Sequence, residues 1–146
     1  SELEYLSCGS NQLTTLDVCN NTKLTWLSCD SNQLTTLDVS SNVNLRTLWC
    51  SSNQLTALDV SNNVNLQSLK CYRNQLTTLD VSRNSSLTSL DCSPMNDTNG
   101  NSLLATLYMQ LDQTIEGINS NRSTTYIPAG TVIEYYSSEP VDDEDL

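Results

Sequence analysis

The sequence holds no histidine and no phenylalanine, and only four glycines, three prolines and six basic residues among 146. Each shortage removes something. Without histidine the commonest general base is gone, and with it the usual Ser-His-Asp and Cys-His arrangements and most zinc sites. No Cys-x-x-Cys pair stands in to hold a metal. Six Lys and Arg against 17 Asp and Glu make a poor partner for nucleic acid, whose affinity rests on cations neutralising phosphates. No apolar run approaches the roughly 18 residues that a membrane span needs. Gly-rich phosphate loops and nucleophile-elbow motifs are missing as well. Paired carboxylates could still serve a glycosidase, but a flat repeated column of them lacks the cleft such chemistry uses. Together these shortages argue against an enzyme, a cofactor or a metal centre.

What is present is a beat. Leu24 to Leu34 reads L-x-x-L-x-C-x-x-N-x-L, and Leu34 to Asn42 continues it as L-x-x-L-x-V-x-x-N. The unit returns every 21 residues, marked by Cys8, Cys29, Cys50, Cys71 and Cys92 and by Leu13, Leu34, Leu55 and Leu76. A fixed period in this range signals a solenoid, whose coils each bury a small apolar slab against their neighbours. The first coil points Leu3, Leu6, Cys8, Asn11, Leu13, Leu16 and Val18 inward. Period-two alternation in both halves of the unit predicts two short strands per coil, with little or no helix.

These residues resemble the leucine-rich repeat signature, with Cys in place of its third apolar residue. The nesting of L-x-x-L-x-C-x-x-N-Q-L with T-x-L-D-V-S-x-N is similar to bacterial repeats sometimes called IRREKO. The resemblance is strong over residues 3–92 and weak beyond. It implies a right-handed leucine-rich repeat solenoid, formally α/β but mostly β, with parallel strands on both faces. It implies a concave binding face too, and a place among secreted or surface-displayed bacterial adhesion proteins. That last step is an analogy of fold, not of site.

The chain divides into repeats over 1–92, irregular last repeats and a C-terminal β cap over 93–136, and an acidic tail over 137–146. After Cys92 the beat slips: Leu66 to Leu76 spans 10 residues but Leu87 to Leu104 spans 17, which places a seven-residue insertion within 93–103. The phase then recovers, as Leu104-x-x-Leu107-x-Met109 matches Leu76-x-x-Leu79-x-Val81, and Ile115 and Ile118 follow at the spacing of Leu87 and Leu90. A final strand over 131–136 reads as the cap that hides the last apolar slab. The chain opens inside a repeat, so it reads as a trimmed form, and the lack of a leader says nothing of a precursor. The first coil shows no cap, leaving an edge through which a second copy could pair.

Three columns of polar residues need an account. Five cysteines replace a buried apolar residue in register, which is packing logic and predicts free buried thiols, whereas Cys19 replaces Ser40, Ser61 and Ser82 and reads as a lone surface thiol. Asn11, Asn32, Asn53 and Asn74 form one amide column and Asn21, Asn42, Asn63 and Asn84 another, both suited to satisfying backbone groups at the turns. Asp17, Asp38, Asp59 and Asp80 stack about 4.8 Å apart on the opposite face, so either local bonds hold each carboxylate or a cation bridges them. Asp97-Thr-Asn-Gly100 lacks the spaced carboxylates of a calcium loop and reads as a turn. Sequons at Asn20, Asn84, Asn96 and Asn121 are close to chance in so Asn-rich a chain.

The concave positions of each coil are the third, fifth, seventh and eighth, and most carry Ser or Thr. The exceptions are Tyr5 and Trp26 at position three, Trp49 at five, Tyr72 at seven, with Lys70 and Arg73 beside them. They run diagonally across the expected sheet, with Asp30 and Asp91 nearby. Aromatics there could merely cover neighbouring backbone. They could equally form a platform, since Trp, Tyr and Arg anchor interfaces. The expectation is a non-enzymatic module binding a protein or glycan through Tyr5, Trp26, Trp49, Lys70, Tyr72 and Arg73, outside the cell or on its surface. The competing reading is a structural spacer with no ligand of its own.

Overall fold

The structure, a computed structural model, describes residues 2–92, 104–110 and 131–136. The insertion, Ile115, Ile118 and the acidic tail lie outside the described residues. Eight strands and no helix are found among those described: β1 Tyr5–Ser7, β2 Trp26–Ser28, β3 Thr47–Trp49, β4 Ser68–Lys70, β5 Thr78–Asp80, β6 Ser89–Asp91, β7 Thr106–Gln110 and β8 Val132–Tyr136. None of the structure is a helix long and apolar enough to cross a membrane, among the described residues.

Two parallel sheets form. One has five strands in the order β1-β2-β3-β4-β6, the other three in the order β5-β7-β8. The register follows the 21-residue beat, so Leu6, Leu27, Leu48, Leu69 and Leu90 stack in line. Recovery of the phase after the insertion is also visible, because Leu79 pairs with Leu107 and Leu107 with Ile133. Parallel strands one repeat apart cannot be joined by a hairpin, so each coil must travel round the solenoid before returning.

The expectation of a second strand in every coil needs correction. The segments Leu16–Val18, Leu37–Val39 and Leu58–Val60 keep the inward alternation but form no ladder among the described residues, where strands on this face begin at β5. In the earlier coils the inter-coil bonds on this side lie farther back, from Gln33 N–H to the Leu13 carbonyl and from Gln54 N–H to that of Leu34. A backbone tied at one point per coil positions its side chains without making a strand.

The core is one continuous slab stack. Leu24, Leu27, Leu34, Leu45, Leu48, Leu55, Leu66, Leu69 and Leu76 are fully buried, with Cys29, Cys50, Cys71, Val39 and Val60 between them. Full burial of each such leucine contributes about 1.5–3 kcal/mol. Cys29, Cys50, Cys71 and Cys92 are free and buried, Cys8 is half-buried, and Cys19 is exposed. Burial pushes the Cys29 and Cys92 thiols up to about 12.

Each turn is built the same way. The eighth residue of the coil is left-handed, with φ of 55° at Ser10, 57° at Ser31, 55° at Ser52 and 52° at Arg73. The asparagine that follows ties the bend together. Asn32 Nδ2 donates to the Cys29 carbonyl at 3.0 Å and to the Cys8 carbonyl of the previous coil at 3.0 Å, while its Oδ1 accepts from Leu13 N–H at 3.0 Å. Asn53 repeats the pattern one coil on. In the second column Asn42 and Asn63 bond backward through Nδ2 to Val18 and Asn21, and to Val39 and Asn42. Both amide columns are structural.

Candidate functional site

The outward face of the five-stranded sheet is the surface assigned to the concave side. Strand alternation puts positions three and five of each coil outward and position four inward, and burial agrees: Thr47 and Trp49 are half-buried while Leu48 between them is fully buried. The sheet register then sets neighbours. Tyr5 lies beside Trp26, Ser28 beside Trp49, Trp49 beside Lys70, and Lys70 beside Asp91.

Three of the six expected site residues touch. The Trp26 and Trp49 rings meet edge to face, 5.4 Å between centroids at 67°, a favoured aromatic geometry. Lys70 Nζ stands 4.3 Å from the centroid of the Trp49 ring, within cation–π range. Trp49 Nε1–H donates to Ser68 Oγ at 3.4 Å, which steadies the ring on the sheet. Tyr5 is beside Trp26 in register and 67% exposed.

The other two sit differently. Tyr72 and Arg73 lie past the end of β4, in the turn, and Arg73 occupies the left-handed position that Ser holds in the earlier coils. Positions seven and eight are therefore turn positions at the rim of the sheet. Sequence reading missed the role of Asp30 there. Its Oδ1 accepts from Ser51 N–H at 2.8 Å and its Oδ2 from Ser28 Oγ–H at 2.9 Å. A lone Asp in a column holding Gly9, Ser51 and Tyr72 was the available signal.

The Asp column on the far side resolves to local bonds. Asp17, Asp38, Asp59 and Asp80 each accept through Oδ1 from the N–H two residues on, at Cys19, Ser40, Ser61 and Ser82, all at 2.9 Å. Hydrogen bonds from Cys19, Ser40 and Ser61 hold the carboxyls of Asp17, Asp38 and Asp59 below the ordinary aspartate value, outweighing desolvation and, at Asp38 and Asp59, repulsion from the preceding Asp. No group of three or more His, Cys, Asp or Glu is placed to hold a metal ion among the described residues.

Surface depressions lie away from the aromatic row. Two of about 310 Å³ flank Ala57, one towards Asp38 and one towards Asp80 and Arg83. A third of about 390 Å³ runs along the corner where chain enters the five-stranded sheet, lined by Glu4, Lys23, Thr25, Asn44, Arg46 and Asn65.

Residues 22–63 match the family model for leucine-rich repeats, two copies. The functional domain of InlJ from Listeria monocytogenes, described as including a cysteine ladder, is similar at 38% identity and a TM-score of 0.66, over 94% of this chain and 31% of that one. A leucine-rich repeat protein of Leptospira interrogans aligns at 24% identity and a TM-score of 0.61, over 73% of this chain and 31% of its own. The internalin InlF of Listeria monocytogenes aligns at 23% identity and a TM-score of 0.52, over 94% and 35%. The chain spans about a third of the length of these structures. No curated protein matches the sequence. The chain carries leucine-rich repeats and is a mostly-β leucine-rich repeat solenoid, similar in structure to the internalins of Listeria monocytogenes.

Proposed function

We propose that this solenoid is a non-enzymatic recognition module that binds a protein or glycan on its concave face, in bacterial cell-surface adhesion. The observation that carries the reading is the packed row Trp26–Trp49–Lys70 on a face whose other outward positions, Tyr5 and Asp91 apart, are Ser and Thr. Both tryptophans of the chain lie in it. A rigid aromatic row loses little conformational entropy on binding, which is why such residues dominate interfaces. Tyr5 extends the row at one end, and Tyr72 and Arg73 flank it from the rim. A place outside the cell or on its surface belongs to the same reading and follows from the resemblance to bacterial surface repeat proteins.

The spacer reading keeps one observation in its favour: the rings pack on each other and on Ser68, so they also serve the sheet itself. A binding screen against matrix proteins, host glycoproteins and polysaccharides separates the two. The expected result is a hit that the Trp26→Ala/Trp49→Ala double variant abolishes with its circular dichroism unchanged. No hit favours the spacer, and a hit indifferent to the double variant moves the binding to another face.

A further inference from the structure

We infer that the corner trough lined by Glu4, Lys23, Thr25, Asn44, Arg46 and Asn65 is a saccharide-binding subsite, separate from the aromatic row. The trough holds about 390 Å³ and crosses several coils. It is built from two columns. Lys23, Asn44 and Asn65 stand just before the first leucine of successive coils, and Glu4, Thr25 and Arg46 just after it.

Every lining residue is of polar type, although their aliphatic stems form part of the wall, and several of its groups are held in place. Asn44 Nδ2 donates to the Thr22 carbonyl at 3.0 Å, and Asn65 Nδ2 to the Val43 carbonyl at 3.3 Å. Anchoring the nitrogens leaves each Oδ1 as an exposed acceptor in a fixed direction, one coil apart, or about 4.8 Å. Thr25 Oγ–H is committed to the Glu4 carbonyl at 3.1 Å, so its oxygen can still accept. Lys23 is paired with Glu2 at 2.6 Å. The Arg46 guanidinium makes no ion pair among the described residues and presents a planar fork of donors.

The inventory selects the ligand class. Protein interfaces anchor on aromatic or aliphatic side chains set in pockets, and drug-like ligands need mostly apolar walls. The trough offers neither. A polyanion is opposed by the net charge of -11. Sugar hydroxyls both donate and accept, so adjacent ones can take two N–H bonds from Arg46 while donating to Asn44 Oδ1 and Asn65 Oδ1. Fixed acceptors lower the ordering cost of such a weak, polar complex.

The test is a titration of the ¹⁵N-labelled protein with cellohexaose, chitohexaose and maltohexaose, following the side-chain amide signals of Asn44 and Asn65. At least one of these sugars should move those signals. Arg46→Gln should weaken that binding about tenfold, the loss of roughly one charged hydrogen-bonded contact. Arg46→Lys, which keeps the charge without the fork, should fall between. Trp26→Ala/Trp49→Ala should leave it unchanged, so failure here and failure of the concave-face reading are told apart. Three silent sugars, or shifts that survive Arg46→Gln, overturn the proposal. So do shifts confined to Trp26 and Trp49.

Discussion

Asn53 shows how much one side chain can hold. Its Nδ2 donates to the Cys29 carbonyl at 3.0 Å, to that of Cys50 at 3.1 Å and to that of Ser51 at 3.3 Å, and its Oδ1 accepts from Leu34 N–H at 3.0 Å. Asn53→Ala would strand several buried backbone groups at once. With each such loss costing about 1–3 kcal/mol, denaturant unfolding should show at least ~3 kcal/mol of destabilisation. Asn11 has the same sequence position in the first coil, but it is exposed and, among the described residues, donates only to the Cys8 and Gly9 carbonyls. Asn11→Ala should cost under about 1 kcal/mol. Equal losses at the two sites would show that the column does not act through burial.

At the scale of the element, Asp17, Asp38 and Asp59 contribute a pH dependence on the acid side. The folded carboxyls of Asp17, Asp38 and Asp59 titrate below the ordinary aspartate value, first because of hydrogen bonds from Cys19, Ser40 and Ser61. A depressed folded value means that the stability they contribute is present above the unfolded value and lost as pH falls through the folded one. Thermal melts should therefore hold their midpoint from pH 7 to about 5 and decline below about 4. Asp38→Asn/Asp59→Asn keeps an acceptor for the turn and should flatten that decline. A midpoint that already falls near pH 6 would assign the acid sensitivity to other groups.

For the whole molecule the relevant fact is one-dimensional stacking. Each coil leans on its neighbours, so a side chain's burial reports how fully both neighbours cover it. Leu6, Cys8, Leu13 and Leu16 of the first coil are only partly buried, whereas Leu27, Cys29, Leu34, Leu48, Cys50 and Leu55 are fully buried. The cysteines report this directly. Thiol alkylation at pH 8 followed by mass spectrometry should label Cys19 first and Cys8 next. Cys50 and Cys71, whose thiols burial raises well above the ordinary value, should react last. Labelling of Cys50 as fast as Cys8 would contradict an order of reaction set by burial.

Periodicity by itself determined the solenoid, the free thiols and the resumed phase at Leu104–Met109. It also determined the inward leucines, buried cysteines and amide columns except in the first coil, where Leu3 and Asn11 are exposed and Cys8 is half-buried. Those follow from side-chain alternation, which is a local property of the chain. The row of aromatics was legible as a diagonal, because the repeat length fixes which residues lie on adjacent strands. Only the tertiary structure decided the rest. It made Trp26, Trp49 and Lys70 a touching row while leaving Tyr72 and Arg73 at the rim, since ring tilt and turn geometry depend on the neighbouring coil. It withheld strands from the second half of the early coils, because a strand needs ladder bonds that alternation does not imply. The trough around Arg46 was not singled out by the sequence either: its two columns flank the first leucine of each coil, and only the stacked backbone opens a depression between them.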